Sequence, residues 1–142
     1  MHLDEQALFS DQQAITATAA STNYIDLGAA NTPPGGSNAI KRDIGGGNDM
    51  PLLIQVTEAF NNLTNLKVDV EVDDNTSFSS AKVVGTATVV LADLVAGKKI
   101  PPFNVPIGTD ERYMRLNYTV TGTAPTAGKV TAGIAGGLQT NG

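Results

Sequence analysis

The sequence predicts an all-β fold, a single antiparallel jelly-roll-like sandwich over residues 1–142 with an extended N-terminal arm (1–20) and a long Gly/Pro-rich loop (31–48). Three observations point there. Leu66, Val68, Val70 and Val72 alternate with Lys67, Asp69, Glu71 and Asp73, a period of two that a helix would scatter around its circumference. Apolar β-branched runs recur every 10 to 15 residues or so, separated by turn residues. No stretch carries the apolar spacing of a long helix, so a sandwich or jelly roll fits better than a parallel α/β sheet.

Taken in chain order, Leu3 to Ala20 opens with acidic residues and then alternates Ile15, Ala17 and Ala19 with Thr16 and Thr18, which reads as extended. Leu8, Phe9 and Ile15 give this arm its apolar content, and a terminal segment is ordered only when something ties it down. The arm is expected to pair with a sheet, yet to be removable over residues 1–13 without loss of the fold.

Tyr24 to Gly28 is a short strand ended by glycine. Asn31 to Asn48 follows, containing Pro33-Pro34-Gly35-Gly36 and Gly45-Gly46-Gly47-Asn48, with Ile40 and Ile44 as its sizeable apolar residues. Structureless loops of this length are uncommon in compact domains and usually functional.

Leu52 to Thr57 is long enough for a buried strand, and the alternating Leu66–Asp73 segment is the clearest element. Lys82 to Leu91 is a further β-branched strand with Gly85 inside it, ended by Asp93 to Gly97. Lys99 to Pro106 is short and bounded by prolines, which confines it to an edge or a strand end. Arg112 to Thr121 places Met114, Leu116, Tyr118 and Val120 on one face, and Gly128 to Gly136 does the same with Val130, Ala132 and Ile134.

Composition narrows the function classes. A chain of 142 residues buries about 68% of its unfolded surface, enough for a core without metal or disulfide staples. There are no cysteines, which excludes thiolate metal sites and cysteine nucleophiles, and the one histidine, His2, leaves no imidazole cluster. A net charge of −5, few aromatics and no tryptophan argue against a nucleic-acid partner. No apolar window spans a membrane, and the start MHLDEQ lacks the basic and apolar regions of a secretory signal, so the chain is expected to be soluble as made.

Candidate chemistry is sparse. The glycine runs lack the Lys-Ser/Thr that opens a helix after a phosphate loop. Asp69, Glu71 and Asp73 could in principle do acid/base work or, with Asp74 and Asn75, bind calcium, but the glycine and distal glutamate of a calcium loop are missing. They are expected to form a solvated strand face with Lys67 or Arg115 as basic partners. No G-x-S-x-G elbow occurs, and Asp110 to Tyr113 reads as surface ion pairing. Neither an enzyme nor a cofactor is expected.

The order of several segments carries a resemblance. Leu8-Phe9-Ser10-Asp11-Gln12-Gln13-Ala14, Thr16 to Asn23, Ile25-Asp26-Leu27-Gly28, Pro51 to Glu58, Val68 to Asp73 with its Asp/Asn/Ser turn, Lys98-Lys99-Ile100 to Pro106, and Arg112 to Leu116 before Tyr118 together resemble the Bbp16-like capsid cement proteins of tailed bacteriophages. The resemblance spans most of the chain. It implies a jelly-roll decoration protein, made in the host bacterial cytoplasm, that coats the outer surface of the icosahedral virion shell, bridges major capsid protein subunits and works as a homo-oligomer, trimer or dimer. It carries over no catalytic residue. Leu8, Phe9, Ile15, Ile40, Lys41 and Arg42 are the residues expected at capsid or intersubunit contacts.

Two other classes remain. A carbohydrate- or receptor-binding β-sandwich of a virion would usually present aromatic platforms, and Tyr24, Tyr113 and Tyr118 are few, with Tyr118 expected to point inward. A cupin-type enzyme needs histidine and carboxylate ligands inside its barrel, which one histidine does not supply.

Overall fold

The structure is a computed structural model and describes residues 3–40, 42–47 and 49–138. In chain order it contains β1 (Leu3–Ala14), β2 (Ala19–Ala20), β3 (Ile25–Asp26), β4 (Leu52–Glu58), β5 (Leu63–Asp73), β6 (Lys82–Val90), a 3-10 turn (Leu91–Asp93), β7 (Tyr113–Gly122) and β8 (Lys129–Ala135). Every strand pairing is antiparallel. One sheet runs β1-β8-β4; the other runs β2-β7-β5-β6, with β3 continuing beside β7 after β2.

The proline-bounded segment completes the first sheet. Its backbone follows β4 through Gly97 N to Val56 O (2.8 Å), Ile100 N to Ile54 O (2.7 Å) and Val105 N to Met50 O (2.9 Å), with isolated bridges at Lys99 and Asn104. Pro101 and Pro102 have no N–H to donate, so the ladder is interrupted there and the segment stays an edge, one of the two placements the sequence allows. Residues 97–105 thus lie outside β4, and the order β1-β8-β4-(97–105) faces (β2, β3)-β7-β5-β6, the connectivity of a jelly roll.

The core fills the space between the sheets. The inward side chains of β5 (Leu66, Val68, Val70, Val72) and of β7 (Met114, Leu116, Tyr118) are fully buried against Leu52, Ile54 and Val56 of β4 and Val130 and Ala132 of β8. Each large apolar side chain removed from water contributes roughly 1.5–3 kcal/mol. Gly85 is the deliberate gap in this layer: it pairs with Val70, and a Cβ there would stand 2.6 Å from Pro106 Cγ. Its missing side chain lets the 102–106 segment close the sandwich over the β6 edge.

Two expectations are corrected. The N-terminal arm does join a sheet, pairing with β8 from Leu3↔Ala135 to Ala14↔Lys129, but it is a structural strand and not a removable extension. Phe9 and Ile15 are 0% exposed within the core, so deleting residues 1–13 would remove one core side chain and an entire edge of the sheet. The Thr16–Thr18 alternation is the bend by which the chain crosses between the sheets.

The second correction concerns Asp69, Glu71 and Asp73, which are not on a solvated face: they are 4%, 8% and 3% exposed. β5 is central in its sheet, flanked by β6 and β7, and its outer face is roofed by neighbouring side chains. Thr86 Oγ1 donates to Asp69 at 2.6 Å, Lys67 pairs with Asp69 at 2.8 Å, and Arg115 pairs with Glu71 at 2.8 Å while lying 4.2 Å from the centre of the Phe78 ring. Lys67 and Arg115 are the basic partners the sequence suggests.

Candidate functional site

The antiparallel connectivity sends the 27–51, 74–81 and 106–112 connections to one end of the sandwich and the 15–18, 59–62, 91–96 and 123–128 connections to the other. The first end carries the long loop, which has no regular secondary structure among its described residues. It is nevertheless fixed at its base. Arg42 donates from Nη1 to the Leu27 carbonyl at 2.6 Å and from Nη2 to that of Gly28, tying the end of the loop to its beginning.

Asp43 fixes the next connection. Its carboxylate accepts from Gly45 N at 3.0 Å and from Gly108 N at 2.7 Å, while Ile44 N donates to the Thr109 carbonyl at 3.3 Å. Thr109 is buried and donates to the Pro106 carbonyl at 2.8 Å. Gly45 is required at this junction, because a Cβ would fall 1.9 Å from Pro106 O. Residues 31–40 all stand exposed above this base, closed on themselves by Ile40 N to Asn31 O (3.1 Å) and Gly36 N to Pro33 O (2.9 Å). A tip with adjoining ends on a pinned base is the form of an Ω-loop.

The surface so built is apolar at its prominent points. Ile40 is 58% exposed and Ile107 is 78% exposed, on loops that the Asp43 contacts hold together. Beside them lies an open cavity of about 610 Å³ lined by Ala30, Ala39, Ile40, Arg42, Asp43 and Asp110. Lys82 rims this end, bonded to Asp110 at 2.9 Å, and that hydrogen bond holds its ammonium pKa above the usual value. An exposed pair of this kind adds little stability; here it orients the 106–110 segment.

The six residues expected at contacts divide differently from the expectation. Phe9 and Ile15 are core residues, and a contact role is withdrawn from them, since a side chain already excluded from water offers no surface. Leu8 is half-buried on β1, where it packs over Gly133. Arg42 points into its own loop base, and its buried Nε has no hydrogen-bond partner among the described residues. Ile40 is exposed, and Lys41 lies outside the described residues. Ile107 was missed, although an isoleucine between Pro106 and Gly108 in an otherwise polar turn is a detectable signal.

A second feature escaped the sequence reading because its parts are distant in the chain. Tyr24, just before β3, meets Tyr113 edge-on at 5.5 Å and 90° and Phe78 at 6.3 Å. Arg112 lies 5.0 Å over the Tyr113 ring and makes a two-bond contact with Asp26, at 3.0 and 2.9 Å. The guanidinium, with the Gly28 N–H, holds the Asp26 carboxyl below its ordinary range. The group forms a small aromatic cluster on the outer face of the β7 sheet. Among the described residues no group of three or more His, Cys, Asp or Glu side chains is placed to hold a metal ion, and no helix is long and apolar enough to cross a membrane.

No curated protein matches this chain closely enough to count as a relative. The Bbp16 family model, by contrast, matches residues 9–134, from the buried Phe9 of β1 almost to the end of β8 and through the whole of the pinned loop. Nearly every strand of the jelly roll and the surface at its loop end fall within that match, and the chain belongs to the Bbp16 family, a phage-associated family.

Proposed function

We propose that this protein is a capsid cement protein, binding the outside of a phage head and bridging major capsid protein subunits. The observation that carries the reading is the combination of family membership over residues 9–134 with a rigidly based loop surface that exposes Ile40 and Ile107. A cement protein needs an unstrained body that survives pressure and a projecting surface that seats on a repeating lattice. The jelly roll supplies the body. The loop end supplies apolar points that cost little side-chain entropy to order, because Arg42 and Asp43 already fix the backbone beneath them.

Many copies on one shell make weak individual contacts sufficient, since each bound site raises the effective concentration of the next when copies are linked. Homo-oligomer formation, as trimer or dimer, belongs to the same proposal, as does location on the outer surface of the virion. The test is cosedimentation of the purified chain with shells that lack it. Ile107→Asp and Ile40→Asp should each lower occupancy by about tenfold or more, consistent with loss of a buried apolar anchor, with unchanged circular dichroism. Occupancy unaffected by both substitutions would remove the loop surface from the reading.

A further inference from the structure

We propose that the cleft between β1 and the segment 22–24 is a binding site for a neutral sugar unit of a polysaccharide. The cleft measures about 470 Å³ and is lined by Glu5, Gln6, Leu8, Thr22, Asn23 and Tyr24. This size lies in the range of small-ligand sites. It sits where the two sheets meet at the β1 side of the sandwich, apart from the loop surface described above, and the inference does not rest on shell binding.

Both walls are fixed before any ligand arrives. Asn23 N donates to the Phe9 carbonyl at 2.9 Å, Thr22 N donates to Gln13 Oε1 at 2.9 Å, and Ser21 Oγ donates to the Asn23 carbonyl at 2.7 Å. Tyr24 is 47% exposed, yet its ring is held by the edge contact with Tyr113 and the Phe78 ring. An aromatic side chain that is both exposed and held offers a preorganised apolar platform. The C–H face of a pyranose is the matching surface on a polar ligand.

The remaining lining supplies the rim. The side chains of Glu5, Gln6, Thr22 and Asn23 make no hydrogen bond within the described residues, so two amides, a hydroxyl and a carboxylate are available together. Amides present donors and acceptors side by side, the pattern that adjacent sugar hydroxyls require. Among the described residues the lining contains one anionic group, Glu5, and no cation, in a chain of net charge −5. That charge disfavours phosphates, sulfated glycans and nucleotides, and selects a neutral sugar.

The experiment is saturation-transfer NMR on the full chain with neutral oligosaccharides of glucose, galactose and N-acetylglucosamine, and with heparin as the anionic comparison. At least one neutral oligosaccharide is expected to bind in the millimolar range, with heparin binding more weakly. Tyr24→Ala should weaken that binding by about tenfold, Tyr24→Phe should retain it, and Gln6→Ala or Asn23→Ala should reduce it several-fold. Circular dichroism of each variant should match the parent, since these side chains lie outside the core. Absence of binding by all three neutral series, preference for heparin, or binding that Tyr24→Ala leaves unchanged would overturn the proposal.

Discussion

Ser10 and Tyr118 share a 2.8 Å hydrogen bond in the buried interior, joining β1 of one sheet to β7 of the other. Ser10 Oγ spends its own proton on Gln13 Oε1 at 2.7 Å, so the phenol is the donor to Ser10. Gln13 in turn accepts from Thr22 N and donates to the Ala20 carbonyl at 2.9 Å. The chain Tyr118–Ser10–Gln13 therefore fastens the N-terminal strand and the crossing that follows it to the centre of the opposite sheet. This polar line through an apolar core explains why a segment that reads as a paired but removable arm behaves as part of the body.

Removing Ser10 Oγ leaves the buried Tyr118 hydroxyl without its partner, and removing the Tyr118 hydroxyl leaves Ser10 with only its bond to Gln13. Tyr118→Phe and Ser10→Ala are each expected to destabilise the chain by about 1–3 kcal/mol, read as a lower urea midpoint without a change in slope. The double variant should cost less than the sum, because both changes break one shared bond.

Burial pushes the Tyr118 phenol far above its ordinary value of 10.0. A raised folded-state pKa means that this stabilisation is complete below the unfolded value and lost as pH rises through the folded one. Alkaline titration followed by tyrosinate absorbance should accordingly leave Tyr118 protonated until the chain unfolds.

Arg42 holds the two ends of the long loop together without contributing to the core. Arg42→Ala is expected to change the thermal midpoint little while sharply increasing protease cleavage within residues 31–48. A variant with unchanged cleavage would show that the guanidinium contacts with the Leu27 and Gly28 carbonyls do not organise the loop.

Asp73 organises the 74–81 turn, accepting from Ser80 N at 2.9 Å and from Asn75 N at 3.3 Å. Burial raises its pKa, but the hydrogen bonds from Ser80, Asp74 and Asn75 together outweigh it and leave the carboxyl below its ordinary value of 3.8. A depressed folded-state pKa contributes stability that is present above 3.8 and is lost as pH falls through the folded value. Asp73→Asn should therefore lower stability at neutral pH and flatten the loss below about pH 4, measured by denaturation across pH 2 to 7.

Much of the fold is legible in the sequence because strand burial is written locally. The alternation at Leu66–Val72 and Met114–Tyr118 survives as the inward face of the two central strands, and the proline-bounded edge at 97–105 follows from missing donors. What is not legible depends on neighbours distant in the chain. Asp69, Glu71 and Asp73 have the pattern of a wet face, and only the placement of β6, β7, Phe78 and Arg115 around β5 makes them buried. Phe9 and Ile15 read equally well as external anchors until β8 and β4 are set beside them. Ile40 lies on the loop the sequence singles out and Ile107 carries a local signal between Pro106 and Gly108, whereas the Tyr24–Tyr113 cluster requires separate strand starts to be brought together.

The central claim, that the 31–48 and 106–110 segments seat on a shell, is tested most directly by electron cryomicroscopy of shells reconstituted with this chain. The expected result is density in which Ile40 and Ile107 meet major capsid protein subunits at every occupied position, with the two sheets standing outward. A reconstruction in which these residues face solvent, or in which no copy of the chain is retained on the shell, would contradict it.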